Sequence, residues 1–273
     1  MSRIEARFEA AGRGGDGALV VFVVAGHPEV KTSAEALLEI ADAGADIIEL
    51  GVPFSDPLAD GPVIQEAAQT ALRQGMSPRA VLAMAAEFRR ARDLPLVLMT
   101  CYNPIWRFGV ESFAREAASA GVDGVIVTDL PPEESEQWVA AARANDVDTI
   151  FLLAPTSPVE RVKGIAELAT GFVYCVSRMG VTGARADLPP ELKELVGRVR
   201  SQTEKPVAVG FGISQPEHVA QVCGMADGAV VGSAVVSLLA RAGPPGSHGP
   251  SVGEFVAALK AATRGVRKAG PSR

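Results

Sequence analysis

A glutamate set in an apolar run is the first residue with an evident capacity for chemistry. Glu49 interrupts Asp46-Ile-Ile-Glu-Leu50 near its end. In an extended strand alternate side chains share a face, so Glu49 lies on the side of Ile47. If that side faces the interior, burial lifts the carboxyl pKa toward the range useful for proton transfer. A glutamate solvated at a strand end, or paired with a nearby arginine, is the plain alternative. The segment that follows, Gly51 to Pro62, carries Ser55, Asp56 and Asp60 and is stiffened by three prolines. A second carboxylate beside the first is a common way of dividing acid, base and electrostatic roles. Ordinary Asp–Pro turn chemistry explains the same residues without function.

Three glycine sites lie further along. Ser177-Arg-Met-Gly-Val-Thr-Gly-Ala-Arg-Ala-Asp187 combines Gly180 and Gly183 with two arginines and Thr182, the composition of a lid or of an ordinary flexible loop. Gly210-Phe-Gly-Ile-Ser214 and Gly232-Ser233 each follow an apolar run, and the second opens a helical pattern. Main-chain amides at such a pair, next to a helix start, can cradle a phosphate. Relief of crowding at strand ends is the competing explanation.

Positioning these groups requires a scaffold. Eight β-branched apolar runs alternate with Ala-rich helical stretches: Leu19–Val24, Asp46–Leu50, Leu96–Thr100, Gly124–Thr128, Thr149–Leu153, Phe172–Val176, Val207–Gly210 and Gly228–Val231. Continuous apolar character suits strands buried on both faces of a parallel sheet. Helical patterns over 33–43 and 113–120 stop at Gly44 and Gly121. Ser157-Pro158 reads as an N-cap with proline at the first helical position, and Pro216 opens another helix. Right-handed crossovers then predict one α/β domain over 1–273, a (β/α)8 TIM barrel, with a doubly wound sheet as runner-up. A short helix over 2–12 precedes it, 241–251 reads as a loop before the last helix, and a flexible tail covers about 264–273. The longest intervals between strand starts run from 46 to 96 and from 172 to 207. They predict extended loops after strands two and six, on the face where barrels bind ligands.

Composition narrows the class. The 273 residues hold 26 Lys plus Arg against 32 Asp plus Glu, a net charge of −6, which gives no electrostatic case for nucleic acid or an anionic membrane. The longest apolar run, Ala18 to Ala25, is too short to span a bilayer, and the charged first residues do not read as a signal peptide. A cytoplasmic protein is expected, and Cys101, Cys175 and Cys223 read as buried thiols. None of the six lysines ends a predicted strand, so a Schiff-base aldolase lacks its nucleophile. His27, His218 and His248 do not form a metal set, and no GxGxxG or P-loop motif is present.

With these segments in hand, the chain resembles the α-chain family of tryptophan synthase over nearly its whole length. The resemblance rests on ELGVPFSDPLADGPVIQ (49–65), LMTCYNPI (98–105), TDLPPEE (128–134), LLAPTSP (152–158), SRMGVTGAR (177–185), GFGIS (210–214) and VVGSAVV (230–236). It implies a lyase of L-tryptophan biosynthesis that splits indole-3-glycerol phosphate into indole and glyceraldehyde 3-phosphate by acid/base retro-aldol chemistry. It implies Glu49 as acid and base, Asp60 as acceptor for the indole N–H, and Phe22, Tyr102 and Tyr174 around the indole. Thr182 would meet Asp60 on closure, and Gly183, Gly212, Gly232 and Ser233 would hold the phosphate. No metal or cofactor is implied for this chain. The implied partner is a pyridoxal-phosphate β chain in an αββα tetramer that receives indole through a tunnel, with Pro53 and Asp56 facing it.

The chain departs from the family pattern at His27, where aspartate is frequent, at Val24, where threonine is frequent, and at Thr100, where some members carry leucine. Three other readings stay open: a stand-alone indole-releasing lyase, a non-catalytic activator of a β chain, and another phosphosugar barrel. A lid over 177–187 carries its own test. Trypsin is expected to cut at Arg178 and Arg185 more slowly once a phosphorylated ligand is bound. Equal digestion with and without ligand would remove the lid.

Overall fold

The computed structural model describes residues 1–176, 190–210, 212–241 and 251–266. Among them nine short strands, all parallel, form one sheet: β1 (Ala18–Val24), β2 (Ile47–Gly51), β3 (Leu96–Thr100), β4 (Gly124–Val127), β5 (Asp148–Ile150), β6 (Leu152–Leu153), β7 (Val173–Val176), β8 (Val207–Gly210) and β9 (Gly228–Val231). The order is β5-β4-β3-β2-β1-β9-β8-β7-β6. The expected strand over 149–153 is broken at Phe151, so β4 pairs with β5 on one side and β7 with β6 on the other. Tyr174 N–H donates to the Phe151 carbonyl across the break (3.1 Å). The two short strands therefore fill one position of the ring, and the eight-position barrel read from the sequence is the fold.

Helices wrap the ring: α1 (Arg3–Arg13), α2 (Val30–Asp42), α3 (Pro62–Arg73), α4 (Pro78–Ala91), α5 (Tyr102–Phe108), α6 (Val110–Ser119), α7 (Glu136–Arg143), α8 (Val159–Leu168), α9 (Pro190–Arg200), α10 (Pro216–Cys223), α11 (Ser233–Arg241) and α12 (Val252–Ala261). The long interval after β2 is mostly two helices, α3 and α4, which leaves 52–61 as the loop. The interval after β7 begins with 177–189, outside the described residues. Ser157 does not cap α8: its hydroxyl accepts from Ala154 N–H (3.0 Å), and Pro158 takes the cap position. Of the 241–251 stretch, 242–250 lie outside the described residues, as do 267–273 of the expected tail.

Two apolar layers hold the barrel. Outward strand residues pack under the helices, and inward ones, among them Val20, Ile47, Val97, Ile126, Ile150, Ala208 and Val230, fill the centre. The N-terminal helix, one residue later than expected and capped by Ser2 through a capping box, closes the floor. Its Ile4 and Phe8 are fully enclosed in the inner layer. Phe8 meets Phe172 at 5.4 Å between centroids and Phe172 meets Tyr174 at 6.1 Å, a column of rings from the floor up to the middle of the barrel.

The strand starts are stapled in a fourfold pattern. Near the start of each odd-position strand one amide, the first or second, points to a neighbour that has not yet begun, and a buried unpaired N–H is costly. In each case the residue just before or near the start of the next strand supplies an acceptor. Asp46 takes Leu19 N–H (2.7 Å), Asp123 takes Leu96 N–H (2.8 Å), Thr170 takes Thr149 N–H (2.8 Å) and Asp227 takes Val207 N–H (2.9 Å). Each acceptor residue also donates its own N–H to the carbonyl of the residue it clasps, at 2.8 to 2.9 Å. The three carboxylates carry cations: Arg7 and Lys260 on Asp46, Arg3 and Arg89 on Asp123, Arg200 on Asp227.

Because Asp46 is buried and serves three donors, Asp46→Ala is expected to lower unfolding free energy by about 3 kcal/mol, since cations lose their counter-charge as well. Thr170→Val, which removes a neutral acceptor, should cost about 1 kcal/mol. Urea denaturation measures both. Equal losses would show that the cations around Asp46 add nothing.

Candidate active site

Glu49 is the middle residue of β2, paired in register with Phe22 of β1 and Val97 of β3. As alternation requires, Ile47 and Glu49 both face the barrel interior, and Glu49 is 1% exposed. Its Oε2 is enclosed without a hydrogen-bond partner. Burial, and after it the charge of Asp60, pushes the carboxyl up to about 8. A carboxyl at that value holds its proton at neutral pH and can donate it.

Asp60 approaches from the loop that follows β2. The loop is pinned from both ends. Val52 N–H donates to Met99 O (2.8 Å), and two glutamines of α3 reach back over it. Gln65 Nε2 donates to Asp60 O (2.9 Å) and Gln69 Nε2 to Ser55 O (3.3 Å). These residues lie four apart on one helix face, so the helix that begins just after Asp60 also holds it in place. Burial raises the Asp60 carboxyl to about 6, leaving it mainly ionised at pH 7. Two coupled carboxyls with separated pKa values provide one acid and one anion.

Both groups open on a cavity of about 450 Å³ at the C-terminal mouth. Phe22, Met99, Ile64 and Tyr174 form apolar wall, and Gly212, Ser214, Gly232, Ser233 and Ser237 form a polar end. Tyr174 is buried, and its hydroxyl is held above its ordinary pKa by burial and then by the charge of Glu49. Two glycines make room for these rings. A side-chain carbon on Gly210 would lie 2.2 Å from the Tyr174 hydroxyl, and one on Gly51 would lie 2.8 Å from the Phe22 ring. At the polar end α11 starts at Ser233, whose neighbouring amides have no partner within the helix. Gly212 faces them with φ +80°. Such an end attracts an anion.

The expected residues are thus partly assembled. Glu49, Asp60, Phe22, Tyr174, Gly212, Gly232 and Ser233 line one cavity. Tyr102 does not line it: it begins α5, donates its N–H to Asp129 Oδ1 (2.6 Å) and packs, half-buried, on the larger apolar cluster. Pro53 is buried beside a smaller neighbouring hollow, and Asp56 is exposed on the same loop. Thr182 and Gly183 lie outside the described residues. Met99, Ile64 and Ser237 were not anticipated, although Met99 alternates with Val97 and Ser237 follows Ser233 by one helical turn. His218 is used elsewhere, its Nδ1 accepting from Ser214 N–H (3.4 Å) at the start of α10. Among the described residues no three His, Cys, Asp or Glu side chains are grouped to hold a metal, and no helix is long and apolar enough to cross a membrane.

Residues 8–263 match the profile of the family described as tryptophan synthase alpha chain. The chain belongs to that family. A tryptophan synthase alpha chain from Geotalea uraniireducens is 45% identical over 266 residues, 97% of this chain and 99% of its own length. One from Citrifermentans bemidjiense is 46% identical over 260 residues, 95% of this chain and 97% of its own. Among solved structures, Mycobacterium tuberculosis tryptophan synthase superposes with a TM-score of 0.89 at 40% identity, covering 96% of this chain and 98% of that one. An alpha subunit from Legionella pneumophila superposes at 0.86 with 34% identity, covering 96% and 98%.

The buried carboxyl of this alpha-chain site has a thermodynamic signature. An acid whose folded pKa lies above its unfolded value binds its proton more tightly when folded. Its share of stability is complete below about pH 4.5 and is lost as pH rises to about 8. Glu49→Gln cannot ionise. Its urea midpoint is expected to gain on the parent's across that interval and to stay level above it. Parallel midpoints throughout would contradict a neutral Glu49 at pH 7.

Proposed function

We propose that this chain cleaves indole-3-glycerol phosphate to indole and glyceraldehyde 3-phosphate, as the alpha subunit of a tryptophan synthase in tryptophan biosynthesis. The observation that carries the reading is the enclosed, proton-holding Glu49 facing the same cavity as the ionised Asp60, with an anion-attracting helix start at the far end.

The chemistry follows from those three parts. Indole leaves poorly as a carbanion, so its C3 must first gain a proton. Glu49, neutral at pH 7, donates it. The resulting indolenine carries positive charge on its ring nitrogen, and the Asp60 carboxylate accepts that N–H and stabilises the charge. The Glu49 carboxylate then takes the proton of the hydroxyl on the adjoining side-chain carbon. As the carbon–carbon bond breaks, its electrons return to the indole ring and the oxygen becomes the aldehyde of glyceraldehyde 3-phosphate. The Glu49 proton is restored, and no water, metal or cofactor enters the balance. Phe22 and Tyr174 would flank the indole, with Tyr102 further out. Gly183, Gly212, Gly232 and Ser233 would hold the phosphate, and Thr182 would close on Asp60.

The partner in this reading is a β chain carrying pyridoxal phosphate, in an αββα assembly located in the cytoplasm. Pro53 and Asp56 would meet it, both on the loop that also carries Asp60. That loop offers a direct mechanical route from partner to acid/base pair. The alternative is a stand-alone indole-3-glycerol phosphate lyase with the same site.

Turnover of indole-3-glycerol phosphate by the purified chain, alone and with its β chain, tests both. A slow reaction that rises strongly with β supports the subunit, and a fast one indifferent to β supports the free lyase. No cleavage in either case would overturn the reading. Glu49→Gln is expected to lower kcat by roughly 10²- to 10⁴-fold, the range of one general acid/base group, and Asp60→Asn by less. Near-parental kcat in Glu49→Gln would remove the assigned acid.

A further inference from the structure

His27 is a buried titratable side chain that the chemistry above does not use. It is 6% exposed, and the backbone of Val236 is the one group close enough to act on a ring nitrogen among the described residues, without a well-formed hydrogen bond to either. Burying an imidazole with so little pairing is unfavourable, so its place asks for a compensating role.

Its backbone is clamped. Gln74 Nε2, at the end of α3, donates to the carbonyls on either side of it, Gly26 O (3.2 Å) and Pro28 O (2.6 Å). Gly26 N–H donates to Ser33 Oγ of α2 (3.0 Å), and His27 N–H to Val24 O (3.2 Å). With its main chain tied to α2 and α3, the ring points to the seam where α3 packs on α11. The backbone of Val236 in α11 and the carboxylate of Glu66 in α3 both favour its protonation, and burial outweighs them. The ring is therefore uncharged at neutral pH.

Both helices line the cavity. The first turn of α3 contributes Pro62, Val63 and Ile64, and α11 contributes Ser233, Ala234 and Ser237, the last adjacent to Val236. A rigid planar spacer behind the seam sets how far the α11 amides stand from the rest of the pocket. We propose that His27 is a positioning residue, which holds the first turn of α11 against α3 and so tunes the grip on the phosphate end of the substrate. This rests on the reading of the α11 end as the anion site. It adds a residue that never touches the ligand.

The test measures inorganic phosphate affinity, KM for indole-3-glycerol phosphate and kcat in the full chain with its β chain. His27→Ala is expected to weaken phosphate binding and raise KM by about tenfold, with kcat within about threefold, the scale of residues that modulate a site from behind. His27→Gln, close in volume and uncharged, should keep both within about twofold. Unchanged phosphate affinity and KM in a folded His27→Ala would overturn the proposal, as would a fall in kcat with both unchanged. If the alanine variant fails to fold, His27→Asn, smaller yet polar, takes its place under the same criteria. Parent enzyme that binds phosphate but does not cleave the substrate would sink the functional reading, while the phosphate ratio between parent and variant still decides on His27.

Discussion

The barrel depends on solving one problem at its floor. Parallel strands leave amides at their starts without ladder partners, and these are enclosed by the surrounding helices. Asp46, Asp123, Thr170 and Asp227 answer this four times, each gripping the start of the preceding barrel strand through side chain and main chain together. The grip fixes the stagger between neighbouring strands, and the stagger decides which residues share a layer. Glu49 stands level with Phe22 and Val97 because β2 is held in that register to β1 and β3. A slip of one residue would turn Glu49 out among the helices and Leu50 in. The anchors at one mouth of the barrel thus set the geometry of the groups at the other.

Polarity is distributed accordingly. The floor carries charges paired through short contacts, while at the mouth the Glu49 carboxyl has, among the described residues, no cation on it and one oxygen without a hydrogen bond. An unsatisfied buried group costs stability, and the inner layer beneath, from Phe8 through Phe172 to Tyr174, provides the rigid packing that holds it there. Chemistry at Glu49 follows from the same desolvation that makes the residue unfavourable to the fold.

Much of this was legible in the residues. Glu49 could be read because one acid in an apolar strand breaks a pattern, and patterns of period two report burial directly. Gly232 and Ser233 could be read because a helix start announces itself. The clasps were missed. Their donors are main-chain amides, which look the same whatever the side chain, so the only trace is the repeated placement of Asp46, Asp123 and Asp227 before a strand. Tyr102 follows β3 and begins α5, and it is not among the residues that line the cavity. The loop after β2 reads as Gly51 to Pro62 and runs over 52–61; the helix pair behind it is divided where Gly75, at φ +81°, follows α3 and Ser77-Pro78 starts α4.

Asp46 gathers three parts of the chain that are far apart in sequence: Arg7 from the first helix, Leu19 from the first strand and Lys260 from the last helix. During synthesis the first two partners are available as soon as the second strand has emerged. The third arrives 214 residues after Asp46. Until then one of the most enclosed carboxylates in the molecule lacks its closest cation, and the helix that supplies it has not yet covered the flank of β1. The anchor at Asp46 is therefore complete only when helices from both ends of the barrel are in place.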